Sequence, residues 1–215
     1  MAANGRLDAA VLAALAWSVG DNLRLLTGIS RADRWPELRP SAVPGVLSVA
    51  RSMAPLVVLD LAFSLETDEE ITFDSVAPRR NGATLAALAA ADTVLAVGSA
   101  DPPGMERLVR GLAELAEMVP GGDPQVVFNR CRRTSASPAE AAQALHRFTG
   151  LTAIATLPED RAAADRAWRD GRPLADVAPS SELTRGLGRL AVTVLARQDA
   201  GEPSPAGDLL AAPGR

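Results

Sequence analysis

Leu56-Val57-Val58-Leu59-Asp60 is the stretch on which the reading of this chain turns. Four apolar residues, two of them β-branched, run directly into a carboxylate. The run is too short for a helix and lacks the polar alternation of a strand with one wet face. It predicts a strand buried on both faces, as at the centre of a parallel sheet. Asp60 would then stand at the carboxyl end of the strand, the edge where open α/β sheets take their ligands. Two roles are open to it at this point: a loop cap, or a carboxylate facing a nucleotide and its magnesium.

The pattern repeats further along the chain. Thr93 to Gly98, Gln125 to Asn129 and Thr152 to Leu157 are also short, apolar and β-branched, and predict three more central strands. Helical spacing separates them. Met105, Leu108, Val109, Leu112, Leu115 and Met118 line one face of a helix that Pro102 or Pro103 opens. Pro138 to Phe148 forms a second helix, closed by Gly150. Arg161 to Asp170 forms a short third helix, and Glu182 to Arg197 a last one behind Ser180 or Ser181. Upstream, Arg6 to Trp17 predicts a helix ending near Gly20, Leu23 to Thr27 a short strand, and Pro40 or Ser41 to Met53 a helix. Asn81-Gly82 makes a turn before a helix over Ala83 to Ala91. Trp35 is expected to anchor the loop from Arg31 to Pro40. This alternation is the signature of a doubly wound α/β domain with a mainly parallel sheet. The expected domain covers residues 1–197, and the Gly-, Pro- and Ala-rich residues 198–215 read as a disordered tail.

Bulk properties exclude several classes. The chain has 215 residues, 47% of them hydrophobic, and a mean hydropathy of +0.08, which suits a globular core. Its net charge of −4 and pI near 5.1 give no support to nucleic-acid binding as the main task. All 22 basic residues are Arg. One cysteine, Cys131, allows no intramolecular disulfide, and the N-terminus does not read as a signal peptide, so a cytoplasmic location is expected. No stretch reaches the roughly 18 apolar residues of a membrane span.

Three strand ends carry interpretable polar groups: Asp60, Asn129-Arg130, and Pro158-Glu159-Asp160. A parallel sheet would bring them to one edge. An Asn side chain offers a donor and an acceptor to the edge of a base, and a turn at Pro158 could cover its face. Glu66, Asp68, Glu69, Glu70 and Asp74 read as a solvated acidic face, since their spacing is not that of a calcium loop. His146 has no nucleophile or acid around it in the pattern. Arg130, Arg132 and Arg133 read as a solvated basic loop, with contact to a phosphate or an acidic partner as the alternative.

Several stretches in order carry a family likeness. They are Leu23 to Gly28 with Arg31 to Arg39; Val57 to Asp60; Ala77 to Leu85 with Ala91 to Val97; Val126 to Arg130; Leu157 to Asp160; and Ala167 with Gly171-Arg172-Pro173-Leu174. From about Leu7 to Ala196 the chain resembles the MinD/ParA/CpaE group of P-loop ATPases, most closely the CpaE-like, septum-site-determining branch. The resemblance implies a P-loop NTPase fold of the MinD-like type, with ATP and Mg²⁺ as cofactors. Asp60 would be the Walker B carboxylate, holding Mg²⁺ through water. Asn129 and Arg130 would lie at the adenine, with Pro158, Glu159 and Asp160 closing over it. It also implies ATP-switched homodimers and protein partners in the division, pilus or secretion machinery, with any attachment to the membrane made peripherally through those partners.

The departures are as specific as the match. The family's phosphate loop ends in Gly-Lys-Thr, and this chain contains no lysine. The family's first strand, phosphate loop and helix have no counterpart in these residues, and Leu61-Ala62 follows Asp60 where many relatives have Pro or Gly. Two expectations follow. The chain is a shortened, catalytically silent relative with a regulatory or positioning role, or it belongs to an active Mg-ATPase whose phosphate loop lies upstream.

Overall fold

A computed structural model describes residues 7–29, 31–62, 65, 81–120, 122–132 and 137–199. The acidic cluster Glu66 to Asp74 and the tail beyond Asp199 lie outside the described residues. The chain divides into two compact units, residues 1–90 and 91–215, each treated by itself.

The C-terminal unit holds a parallel sheet of three strands, β3 (Leu95–Ser99), β4 (Gln125–Cys131) and β5 (Ala153–Pro158), in that order. Helices α4 (Pro102–Met118) and α5 (Pro138–Thr149) make the crossovers, and α6 (Arg161–Asp170), the short α7 (Leu174–Val177) and α8 (Glu182–Asp199) follow. The predicted helix-strand alternation is therefore present, and α8 continues two residues into the stretch read as tail. The core is built where the periodicities meet. Val126 and Phe128 of β4 pack with Met105, Leu108 and Leu112 of α4 and with Ala141 and Leu145 of α5. Val127, which strand alternation aims at the opposite face, is equally buried, so β4 is covered on both sides.

Short-range chemistry starts these helices. Asp101 accepts from the Gly104 N–H at 3.0 Å, just before Pro102. Ser137 and Glu140 form a reciprocal capping box, and Gly150 closes α5 in the left-handed conformation. Asp160 caps α6 through the Ala163 N–H at 3.0 Å. Gly104 has a steric reason: a Cβ there would meet the Ser99 backbone oxygen at 2.8 Å, so only glycine lets α4 begin this close to β3.

The N-terminal unit is mostly helical. Asp8 caps α1 (Ala9–Leu15), and α2 (Val43–Met53) and α3 (Gly82–Ala89) follow. Leu12, Leu47, Gly82, Ala87 and Leu88 are its buried residues on these helices. The Arg51 guanidinium donates to the Ala90 carbonyl at 2.6 Å, just past the end of α3. Residues 32–37 wind as a 3-10 helix, with Trp35 half-buried.

Three expectations are corrected. The first helix stops at Leu15, because the chain turns there into a hairpin in which β1 (Trp17–Ser18) pairs antiparallel with β2 (Arg24–Leu25). Among the described residues β3 pairs only with β4 and is not doubly buried, with Val97 58% exposed. Leu56 to Asp60 is extended but joins no ladder among the described residues. Leu56 is 46%, Val58 82% and Leu59 38% exposed. An apolar run becomes a buried strand only where neighbouring strands satisfy its N–H and C=O groups, and the described residues provide none here.

Candidate functional site

The carboxyl ends of β4 and β5 meet in a polar cluster. The Glu159 N–H donates to the Cys131 carbonyl at 3.0 Å, and Cys131 pairs with Pro158 in the ladder. Asn129, Arg130, Pro158, Glu159 and Asp160 are thus brought together, as the sequence order predicts. Asp60 lies in the N-terminal unit, in the extended segment without a ladder.

A bulge sets the geometry of the β4 end. The register shifts between Phe128 and Cys131, and Arg130 sits at φ 55°, a left-handed conformation that costs a non-glycine residue. The Asn129 Oδ1 accepts from the Arg130 N–H at 2.8 Å, so the carboxamide supports its own turn. Asn is suited to that task because its short side chain can hydrogen-bond to adjacent backbone.

Glu159 is the electrostatic centre. Its carboxylate receives Arg161 Nε at 3.1 Å, with Arg130 and Arg132 each at 3.6 Å. The Glu159 side chain is 14% exposed, whereas the three guanidiniums reach into solvent. The Arg161 hydrogen bond, followed by the charges of Arg161, Arg132 and Arg130, holds its pKa below the usual glutamate range. Asp160 is also held low, first by the Ala163 N–H and then by the Ser181 hydroxyl, which donates at 2.7 Å. Asp101 is lowered by hydrogen bonds from the Ser99 hydroxyl and the Gly104 N–H. Burial raises the pKa of the Cys131 thiol, which favours its protonated form over a nucleophilic thiolate. His146 lies exposed on α5.

These turns do not fit the phosphates of a nucleoside triphosphate. Anion sites at strand-to-helix turns need free N–H groups at the helix start. Here Asp101, Ser137 and Asp160 each occupy such an N–H with a side chain of the chain itself. The chain also has no lysine to place on a phosphate. No group of three or more His, Cys, Asp or Glu side chains among the described residues could hold a metal ion.

A second feature adjoins the cluster and was not anticipated. A cleft of about 400 Å³ lies between the ends of β4 and β5 and helix α8, lined in part by Arg132, Thr156, Pro158, Glu182, Arg185 and Arg189. The recurrence of charged residues at 182, 185 and 189, which share a helix face, is the signal that would have found it.

The fold is the α/β fold of the ParA-family ATPases. The crystal structure of a ParA family ATPase from Chlorobium tepidum TLS is similar to this chain with a TM-score of 0.67 and 17% sequence identity, over 86% of this chain and 69% of that one. No protein-family model matches the chain, and no curated protein does. No helix among the described residues is long and apolar enough to cross a membrane.

Proposed function

We infer that this chain is a ParA/MinD-like regulatory or positioning protein, of the CpaE-like, septum-site-determining kind or serving pilus or secretion assembly. It acts through protein contacts and not through ATP turnover by these residues. The observation that carries this reading is the self-capping of the three strand-to-helix turns by Asp101, Ser137 and Asp160 in a chain without lysine. Phosphoryl transfer relies on a phosphate-cradling loop and its cation, and neither is offered there. Trp168 on α6 is 93% exposed, and exposed Trp is enriched among the anchors of protein interfaces. A homodimer is the simplest assembly to expect, by analogy with the family.

Retained ancestry assigns Asp60 to the Walker B position, holding Mg²⁺ through water, and Asn129, Arg130, Pro158, Glu159 and Asp160 to the adenine side. The test is an ATPase assay combined with calorimetry on the purified chain. Turnover should stay at background, and any ATP binding should be indifferent to Mg²⁺ and to Asp60→Ala. Mg²⁺-dependent binding that Asp60→Ala abolishes would overturn the silent reading.

A second reading is favoured by the unpaired apolar segment Leu56 to Leu59. In it an upstream segment supplies a neighbouring strand and a phosphate loop with its lysine, and the whole protein is an active Mg-ATPase. Sequence encoding Gly-Lys-Thr upstream of Met1, in frame, would decide for it.

A further inference from the structure

The parallel sheet is covered unevenly. Ala96, Val126 and Phe128 turn one face toward α4 and α5. Strand alternation puts Thr93, Leu95, Val97 and Val127 on the other face. Ala155 pairs with Val127, and Leu157, two residues on, shares that face. A Cβ on Gly186 would meet Leu157 Cδ2 at 2.9 Å, so glycine lets α8 settle onto β5 there. The far end of α8 reaches the foot of β3, where Gln198 Nε2 donates to Thr93 Oγ1 at 3.4 Å. Helix α8 therefore crosses this second face and leaves β3 bare: Leu95 and Val97 are exposed. Leu187, Ala191 and Leu195 share a helix row with Gln198, so the flank of α8 on the β3 side is apolar as well. Leu187 and Leu195 are exposed too. The result is an apolar corner with β3 as its floor and α8 as its wall.

The occupant is argued from where α8 ends. Asp199 follows Gln198, so residues 200–215 leave from the foot of β3, at the head of this corner. Gly201 and Pro203 follow the helix directly and favour a turn away from its axis. Leu209 and Leu210 are the only large apolar residues of that stretch. Ten residues separate Asp199 from Leu209 and span up to about 33 Å, whereas Thr93 to Val97 covers only about 13 Å of strand. The stretch is too poor in apolar residues to fold by itself, but one leucine pair can dock on a face already built. Gln125, paired with Leu95 and on the same face, has a buried side-chain carbonyl oxygen without a partner among the described residues. A covering segment would bring the N–H donor it lacks. We propose that Leu209 and Leu210 seat in this corner, so that the C-terminal tail is an intramolecular cover over β3. Tethering holds the tail there at an effective concentration on the order of millimolar, ahead of a second copy. The cover masks an apolar face that would otherwise promote association, and it depends on neither reading of ATP turnover.

A nitroxide label on the full chain tests it. Cys131 is the only cysteine, so Cys131→Ser with Ala211→Cys places one label beside the leucine pair. In methyl NMR spectra the signals of Leu95, Val97, Leu187 and Leu195 should lose intensity relative to the reduced label. Leu145, buried on the α5 side, should lose less. Leu209→Ser with Leu210→Ser should abolish the loss at Leu95 and Val97, and so should Val97→Asp on the floor. The serine pair lies outside the folded unit, so the test stands even where Val97→Asp fails to fold. Mixing the labelled chain with excess unlabelled chain should leave the losses unchanged. The proposal is overturned by intact Leu95 and Val97 signals or by losses that persist in the serine variant. It is equally overturned by losses that vanish in the mixture, which would assign the corner to a second copy.

Discussion

Val126-Val127-Phe128 and Leu56-Val57-Val58-Leu59 are close to interchangeable in composition, yet their surroundings are opposite. The first lies between two parallel strands under α4 and α5, with Val126 and Phe128 fully buried. The second is extended without a ladder partner among the described residues, and Val58 is largely exposed. Apolar, β-branched runs state a demand for burial, and strands from elsewhere in the chain decide whether it is met. The polar ends differ in the same way. Asp160 has one oxygen on the Ala163 N–H and the other on the Ser181 hydroxyl, while Asp60 ends a segment outside any ladder.

This contrast can be broken experimentally. Phe128→Ala should have the largest effect, a loss of about 3–5 kcal/mol in denaturant unfolding, because it empties the centre of a packed core. A loss below about 1 kcal/mol would mean that β4 is not the buried strand described. Gly104→Ala comes next, at about 1–3 kcal/mol, since its methyl group would press on the Ser99 backbone. Asp160→Ala should cost about 1 kcal/mol through the lost helix cap, and Ser181→Ala less.

Acid should weaken the same unit. Asp101, Glu140, Glu159 and Asp160 all have pKa values lowered in the folded state. Their stabilisation is complete above the unfolded-state values, near about 4, and is lost as pH falls through the folded ones. Urea midpoints for the C-terminal unit should therefore fall steadily below about pH 4, and Glu159→Gln should flatten that fall. Val58→Ser should have the smallest effect, within about 0.5 kcal/mol, as for an ordinary surface exchange. A cost above 2 kcal/mol would show that the segment is paired in solution and would sharpen the case for a strand supplied from upstream.

Much of the fold is readable from neighbouring residues alone. Three helices were expected to start at Pro102 or Pro103, Pro138 and Arg161, and the observed helices begin there, with Asp101, Ser137 and Asp160 as the caps the structure adds. Caps and helical periodicity act over a few residues, so a linear reading captures them. The hairpin at Trp17 and Leu25 was missed because helical spacing in Arg6 to Trp17 continued past the point where pairing with a later segment took over.

At the site, the strand ends predicted to converge include Asn129, Arg130, Pro158, Glu159 and Asp160, and these five do converge. Their order along a parallel sheet requires it once β4 and β5 pair. What they do on arrival depended on distance in space. Arg161 and Asp160 are adjacent in sequence, but Asp160 reaches Ser181 while Glu159 gathers Arg130, Arg132 and Arg161. The bulge that turns Arg130 left-handed and the close seat of Gly186 on Leu157 likewise depend on segments far apart in sequence.

Residue order alone was enough for the α/β class, the starts of α4, α5 and α6 and the absence of a lysine in these residues, because those depend on local periodicity, proline placement and composition. Tertiary structure decided which apolar runs became core, that the carboxylates at the strand ends serve as caps and ion-pair centres, and that Arg185 and Arg189 border a cleft. Burial and electrostatics depend on what each group meets across the fold, and those meetings are made only when the strands pair and the helices close over them.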